Sequence, residues 1–528
     1  MTPDREKSSP PPRPPAAPEA GTVYLVGAGP GDPGLITARG LDLLRGARVV
    51  VFDALANPAL LDEASPDAEL IDAGKRAREH KLSQDRINAL LAERAAAGLS
   101  VVRLKGGDPY IFGRGSEEAA YLYDRGIAVE VVPGIPAAAA APAYAGVPVT
   151  HRNVATSCTF VTGHEDPTKP EAQVEFAPLA ALIARGGTVC LYMAMGRLAA
   201  IARTLIDHGA AAATPAAAVQ WGTLPTQRSV RATLGDLPDA VERAGLGAPA
   251  IVVVGPVVNV APEALNWFER RPLFGRTIVV TRTRQQASAL RARLEAAGAA
   301  VLEAPTIRID PPDDPAAVDR AVGELGGYDW LALTSSNGVE ALAEALRRNG
   351  ADARRLAGVR VAAVGGATAE ALRATMMIEP DFVPARAMGE ALAEEMVGAH
   401  EMAGRRVLLF RADIGRATLR RRLVEAGARV DDVAAYRTGA AEALPPRVEE
   451  ALAAGGVDWI TFTSGSTARS FAAMLADRSA LGGVKLASIG PVTSNAMREA
   501  GLAVDVEAER HDTEGLVAAI RAATRDET

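Results

Sequence analysis

The stretch VYLVGAGPGDPGLIT, Val23–Thr37, decides how the front of this 528-residue chain folds. The apolar run Val23–Val26 reads as a buried strand, and Gly27, Gly29 and Gly31 follow it in Gly-x-Gly-x-Gly spacing. A dinucleotide turn spaces its glycines Gly-x-Gly-x-x-Gly and seats the pyrophosphate on the next helix N-terminus. Here Asp32 and Pro33 come directly after the third glycine. The carboxylate repels a pyrophosphate, and proline lacks an N–H that would hold one. Two readings remain: a Gly/Pro turn with no ligand, or a loop whose backbone closely approaches a ligand that is not an anion.

The length predicts several domains. Apolar residues make up 48% and charged residues 23%, so most of the chain should form cores, and the 4% of aromatics suits α/β layers with closely packed helices. A net charge of −7 argues against nucleic acid or an anionic membrane as partner, while a small anion would need local Arg/Lys clusters. Cys158 and Cys190 cannot make a disulfide framework and read as small core residues. Six scattered histidines without CxxC or HxxxH spacing predict no metal site. The proline-rich residues 1–20 have no apolar h-region and read as a disordered tail, neither signal nor transit peptide. The most apolar run, VEVVPGIPAAAAAPAYAGVPV, is broken by prolines and does not span a bilayer as one helix. These features predict a cytosolic protein.

From Val23 to Val258 short apolar strands (VYLVG, ARVVVFD, SVVRLKGG, VEVVP, CTFVTG, TVCLYM, AAAVQWG, AIVVVG) alternate with amphipathic helices, the mark of α/β layers. NVAPEALNWFERRPLFGR then reads as a linking helix and connector. Beyond it the chain repeats. The segment from Gly275 recurs from Gly404 and that from Tyr328 recurs from Val457, both offset by 129, and VRVAAVGGATAEALR matches VKLASIGPVTSNAMR at an offset of 125. Three segments in one order indicate a duplication into two lobes, each strand–helix–strand–helix, facing a cleft. The polar groups at strand ends repeat with it: Arg282 and Arg411, Thr334 and Thr463, Thr368 and Thr493. Ligands sit outside the carboxyl ends of such strands, so the set suits a polyanionic organic molecule, although any one Ser/Thr there also reads as a helix cap.

Within the first half, VVRLKGGDPYIFGRG carries Gly106-Gly107-Asp108-Pro109 after a strand ending in Lys105. Read alone it is a structural turn. Read with Gly27–Asp32, it is the second loop of one site wall, with Asp108 placed to bond a ribose or attract a sulfonium. S-adenosylmethionine, which has an adenosine and a cationic sulfur but no phosphate, fits both loops. Asp53 ends a strand expected beside the first one, and Lys75 lies in a Gly-Lys-Arg turn near the same edge. A carboxylate that takes a proton would serve methylation at carbon, but an Asp at a strand end is also a common helix cap.

GAGPGDPGLIT, VVVFDAL, GKR, RLKGGDPYIFGRGSEE, VVPGIPAA, AYAGVPVTHRN, FVTGHED, CLYMAM, WGTLPTQ and AIVVVGPVV together resemble uroporphyrinogen-III C-methyltransferase of the tetrapyrrole methylase family, over residues 21–260. The resemblance implies two αβα lobes split near Pro133, an active site between them and a homodimer. It implies a donor cradled by Pro30, Gly106, Gly107, Asp108, Ile111, Ala137, Met193 and Gly222, with Asp53 as proton acceptor and Lys75 as proton donor. Where the family commonly carries Thr after PGI, this chain has Pro136, which keeps only a carbonyl. With only the tail before Gly21, no oxidation or metal insertion is expected.

Residues 261–274 are read as a linker, and residues 275–528 are similar to uroporphyrinogen-III synthase, through VVTR, DWLALTSSNGVEAL, VAAVGGATAEAL, AAYRT, TFTSGSTA and SIGPVTSNAM. That resemblance implies a bilobal fold in which the first strand–helix unit joins the C-terminal part, with connections near Ile307–Pro312 and Tyr436–Thr438. The implied reaction closes hydroxymethylbilane with inversion of its last ring, mostly by orientation. Tyr436 is the expected acid, and Thr368 and Thr493 the expected carboxylate binders, with Ser335, Ser464 and Arg411 as neighbours. The implied product, uroporphyrinogen III, carries eight carboxylates and is the substrate that the first resemblance implies, methylated twice to precorrin-2; the alternative is a methyltransferase, on this or a later precorrin, tethered to a non-catalytic tetrapyrrole-binding second half. Arg76, Arg103 and Arg152, and Arg282 and Arg411, therefore have an assignable purpose, the alternative being solvated surface.

Overall fold

A computed structural model describes residues 18–74, 82–165, 173–260, 262–281, 284–386, 388–414, 417–475 and 477–525. Its contacts divide the chain into one unit of Met1–Arg276 with Ala296–Ala300 and another of Thr277–Glu295 with Val301–Thr528.

The first unit opens with β1 (Thr22–Gly27), β2 (Val49–Phe52), β3 (Glu69–Asp72), β4 (Val101–Lys105) and β5 (Ala128–Val132), which form a parallel sheet in the order β3-β2-β4-β1-β5. β1 and β4 are buried at every residue. The apolar run of β1 suits a strand covered on both faces by crossover helices, whereas β4, VVRLK, buries Arg103 and Lys105 as well. The expected neighbour relation is corrected here: β2 pairs with β4, not β1, because β4 inserts between them. β3 was not expected; ELID is short, half-exposed and on the sheet edge, so it carries little apolar signal.

A second, mixed sheet follows, of β6 (Cys158–Thr162), β7 (Thr188–Tyr192), β8 (Pro215–Gln220), β9 (Arg228–Thr233) and β10 (Ala250–Val254), ordered β6-β7-β10-β8-β9. β9, RSVRAT, is another edge strand whose polar residues hid it. The two lobes meet around the helix Ala137–Tyr144, which starts just past the end of β5.

The connector is not the helix expected. It has short 3₁₀ turns at Pro256–Asn259 and Glu263–Leu265, since Pro256, Pro262 and Pro272 interrupt any longer helix. It is held instead by aromatic packing. Tyr144 lies 4.9 Å from Trp267 and 4.8 Å from Phe268 by ring centroids, and Trp267 Nε1 donates to the Ala143 carbonyl at 3.2 Å.

The second unit comprises β11 (Thr277–Val280), β12 (Ala300–Glu303), β13 (Ile307–Asp310), β14 (Trp330–Leu333), β15 (Arg360–Ala363), β16 (Arg406–Ala412), β17 (Arg429–Ala440), β18 (Trp459–Phe462), β19 (Lys485–Ser488) and β20 (Val506–Glu507). They form two sheets, β12-β11-β18-β19-β20 and β13-β17-β16-β14-β15. The duplication is visible strand by strand: β12-β11-β18-β19 corresponds to β17-β16-β14-β15. The first strand–helix unit does join the C-terminal lobe, since β11 pairs with β18. The chain crosses between lobes as an antiparallel ribbon, with Ile307 opposite Ala440 and Asp310 opposite Arg437. Among the described residues no helix is long and apolar enough to cross a membrane.

Candidate functional site

The two glycine loops of the first unit are one structure. Gly29 and Gly107 exchange backbone hydrogen bonds at 3.2 and 2.7 Å, and both sit at positive φ, +74° and +69°, where glycine carries no steric penalty. A Cβ on Gly27 would lie 2.5 Å from the Gly134 Cα, and one on Gly134 would lie 2.2 Å from the Gly107 carbonyl oxygen. Three chain segments thus cross at a point where only glycine fits. Asp108 ties them: its carboxylate accepts from the Tyr110 N–H at 2.8 Å and the Gly134 N–H at 3.0 Å. Asp32 does the same on the other side. It caps its own turn through Gly34 N at 2.8 Å, accepts from the Tyr144 hydroxyl at 2.6 Å, and donates its N–H to Thr223 Oγ1 at 2.9 Å. The carboxylate that argued against a phosphate is a clamp between lobes; burial, and after it this carboxylate, raises the Tyr144 phenol well above its ordinary range.

These loops wall a cavity of about 290 Å³. All eight residues expected to cradle the donor, Pro30, Gly106, Gly107, Asp108, Ile111, Ala137, Met193 and Gly222, line it. Its other walls are mostly apolar, Leu55, Phe112, Tyr192, Trp221 and Leu224 among them, and Asp108 is its one charged side chain among the described residues. The Tyr192 hydroxyl accepts from the Ala138 N–H at 3.0 Å, and burial pushes its pKa up to about 12. A Cβ on Gly222 would fall 2.2 Å from the Ala141 Cβ, which explains the glycine. Phe112, Met193 and Trp221 hold positive φ of 54°, 55° and 49°. Backbone strain of this kind persists where surrounding structure imposes it, and here all three residues line the cavity. A lining without a cation and with one acid suits a nucleoside-like or cationic ligand and disfavours a pyrophosphate. Pro136 is the N-cap of the helix Ala137–Tyr144, and its carbonyl is taken by the Ala139 and Ala140 N–H groups at 3.0 and 3.1 Å.

Asp53 stands at the end of β2, beside this cavity and not in its lining. Its carboxylate is held by Arg103, which is buried and also bound to Glu118. Arg103 is therefore not free to meet a substrate anion, which corrects that expectation. Arg152 is exposed on the loop after the helix Ala137–Tyr144 and lies outside the cavity. Lys75, Arg76 and Arg282 fall outside the described residues.

In the second unit the repeated positions start helices. Ser335 caps the helix Ser336–Arg348 by accepting from Gly338 N at 3.0 Å, and Ser464 caps the helix Gly465–Met474 through Thr467 N at 3.3 Å. Thr368 and Thr493 are buried in the first turns of Gly366–Met376 and Pro491–Glu499. Tyr436, buried on β17, puts its hydroxyl 2.7 Å from Ser335 Oγ, and burial raises its pKa. Arg411 is buried against Asp432, with bonds of 2.8 and 2.6 Å. Thr463 Oγ1 is buried without a hydrogen-bond partner among the described residues. Tyr436 and Ser335 are brought together, and Thr368 and Thr493 occupy equivalent places in the two lobes.

Glu118, fully buried under Asp53, escaped the sequence. It follows an exposed Glu117 that pairs with Arg114 at 2.8 Å, and two acids in a helix first turn read as solvated dipole partners. The phase of the helix starting at Gly115 is the signal that separates them.

A family model described as "Tetrapyrrole (Corrin/Porphyrin) Methylases" matches residues 22–238, and one described as "Uroporphyrinogen-III synthase HemD" matches residues 288–518. The porphyrin biosynthesis protein HemD of Ruminiclostridium josui is 38% identical over 462 residues, covering 87% of this chain and 90% of that protein. The uroporphyrinogen-III C-methyltransferase of Bacillus subtilis is 38% identical over 72% of this chain and 78% of its own length. That of Synechocystis is 51% identical, over 45% of this chain and 90% of its own length. The first alignment runs through both units, and the third is confined to less than half of the chain. The chain thus belongs to the tetrapyrrole methylase family through its first part and to the uroporphyrinogen-III synthase HemD family through its second, the two joined in one polypeptide.

Proposed function

We propose that this chain carries out two consecutive steps of tetrapyrrole synthesis. Its second unit closes hydroxymethylbilane to uroporphyrinogen III with inversion of the last ring. Its first unit transfers two methyl groups to that product, giving precorrin-2. The observation that carries the methylation step is the cavity at Gly107, Asp108 and Gly222, whose lining suits S-adenosylmethionine: among the described residues a single acid and no cation, with polar backbone at the two glycine loops and apolar walls. Bound there, S-adenosylmethionine would supply an electrophilic methyl group.

Within this reading the residues act as follows. Asp108 rigidifies the loops through its two backbone bonds and supplies the negative potential that favours a cation. The apolar wall of Phe112, Trp221 and Leu224 excludes water from the reacting carbon. Asp53 takes the proton that the ring system loses as the new carbon–carbon bond forms. In the second unit Tyr436, kept protonated by burial and oriented by Ser335, assists departure of hydroxide. Thr368 and Thr493, one on each lobe, bind carboxylates of the linear tetrapyrrole.

Asp108→Ala tests the donor reading. Calorimetry with S-adenosylhomocysteine should show affinity reduced at least tenfold, since the two charge-assisted bonds that hold the loops are lost. Unchanged affinity would remove this cavity from the donor role.

A further inference from the structure

A cluster of charges lies beneath Asp53, in the layer where β1, β2 and β4 pack against the helices Gln84–Ala96 and Gly115–Tyr123. Arg103 and Lys105 point the same way from β4, with side chains only 2% and 3% exposed, and Glu118 is 0% exposed. Glu118 Oε1 accepts from Arg103 Nε at 3.2 Å, from Lys105 Nζ at 3.0 Å and from Gln84 Nε2 at 3.1 Å. Its Oε2 has no hydrogen-bond partner among the described residues. Arg103 Nη2 donates to Asp53 Oδ1 at 2.5 Å, and Lys105 Nζ lies 3.9 Å from Asp53 Oδ2. Asp53, 31% exposed, is the one member that reaches solvent.

Burying ions in an otherwise apolar layer costs several kcal/mol each, and well-packed apolar residues would stabilise the layer at least as well. Stability alone therefore does not account for the cluster. Its charges do have a common focus. Two buried cations and one buried anion leave one positive charge facing the Asp53 carboxylate. Neutralising that carboxylate would leave the positive charge uncompensated in a poorly solvated place.

We propose that Arg103, Lys105 and Glu118 are positioning residues for Asp53, fixing the direction of its carboxylate and setting how readily it takes a proton. This rests on the reading of Asp53 as proton acceptor in methyl transfer. Arg103 fixes direction by gripping Oδ1 through Nη2 while its Nη1 reaches the Val51 and Leu104 carbonyls at 3.4 and 3.5 Å. That leaves Oδ2 for the incoming proton, which then passes to solvent. Lys105 Nζ stands 3.9 Å from Oδ2 and faces it with a positive charge, which Glu118 partly offsets. Burial and then the Arg103 charge pull the Lys105 pKa down, while Glu118 and Asp53 oppose that pull. Among the described residues, other groups near this edge are the neutral Gln84 and Asn88, hydrogen-bonded to each other at 2.9 Å, and Asp72, whose carboxylate accepts from Gly74 N at 2.8 Å.

The test is the pH dependence of kcat for methyl transfer to uroporphyrinogen III in the full chain, for wild type, Lys105→Met, Glu118→Gln and Asp53→Asn. Activity needs the Asp53 carboxylate, so the acid limb of the profile reports on the charges around it. Without the Lys105 cation the limb should move up by about one pH unit. Without the Glu118 anion it should move down. Neither residue lines the donor cavity, so calorimetric donor affinity within twofold of wild type certifies that each variant is folded. A merely structural role cannot give shifts of opposite sign. Folded variants whose limbs stay put, or move the same way, would overturn the proposal while a slow Asp53→Asn keeps Asp53 as acceptor. Full activity in Asp53→Asn would instead refute the acceptor reading, and the proposal with it. If Glu118→Gln does not fold, the upward shift in Lys105→Met decides alone.

Discussion

Replacing Gly222 by alanine puts one methyl group where the structure has no room. The new Cβ would stand 2.2 Å from the Ala141 Cβ and 2.9 Å from the Ala141 Cα. Carbon atoms rest at about 3.5–4.0 Å, so the two walls must part by about 1.3–1.8 Å. Neither wall yields easily. One is a turn whose residues Trp221 and Thr223 already hold positive φ; the other is the buried helix Ala137–Tyr144, anchored through Tyr144 to Asp32. Overpacking of this kind costs about 1–3 kcal/mol. Because Gly222, Ala141 and Trp221 all line the cavity, most of the displacement falls on the donor site. Gly222→Ala should weaken S-adenosylhomocysteine binding at least tenfold by calorimetry and leave ring closure by the second unit unchanged. The double variant Gly222→Ala/Ala141→Gly removes the nearer colliding atom, leaves the 2.9 Å approach to the residue-141 Cα, and should recover part of the affinity, less about 1 kcal/mol of stability for a helical glycine. Wild-type affinity in the single variant, or no recovery in the double, would refute the steric account.

Tyr436→Phe should cut the enzymatic yield of the type-III isomer at least tenfold with the fold intact. Because burial raises the Tyr436 pKa, its proton is present below the ordinary phenol range and is lost only above it, so the alkaline limb of ring closure should lie above pH ~10. Phe268→Ala empties the aromatic cluster that docks the connector, and should cost the first unit about 3–5 kcal/mol, read as an earlier thermal transition while the second unit's is unmoved.

The parts of the fold that were legible are those where local chemistry has one solution. β1 and β4 are fully buried, β1 in a continuous apolar run and β4 with Val101, Val102 and Leu104, and the glycines after them are forced by close crossings, so strands and site wall could both be read from the chain. The duplication was legible because each copy keeps a strand, a polar turn and a helix in one order. Edge strands β3 and β9 escaped because exposed edges tolerate polar residues, and the order of strands within a sheet is not written in any one of them. The connector's aromatic docking and the burial of Glu118 depend on partners over a hundred residues away or on helix phase. Asp108 shows a related limit: its place in the cavity was expected, but its bonds to Tyr110 and Gly134 were not.

The most direct measurement of the two-step account is a single-pot anaerobic assay. The full chain is given freshly generated hydroxymethylbilane and methyl-labelled S-adenosylmethionine, and the products are resolved by mass and isomer. The account predicts a type-III product carrying two labelled methyl groups. Spontaneous type-I ring alone, with labelling restored only when uroporphyrinogen III is added, would contradict it by leaving the second unit without its catalytic role.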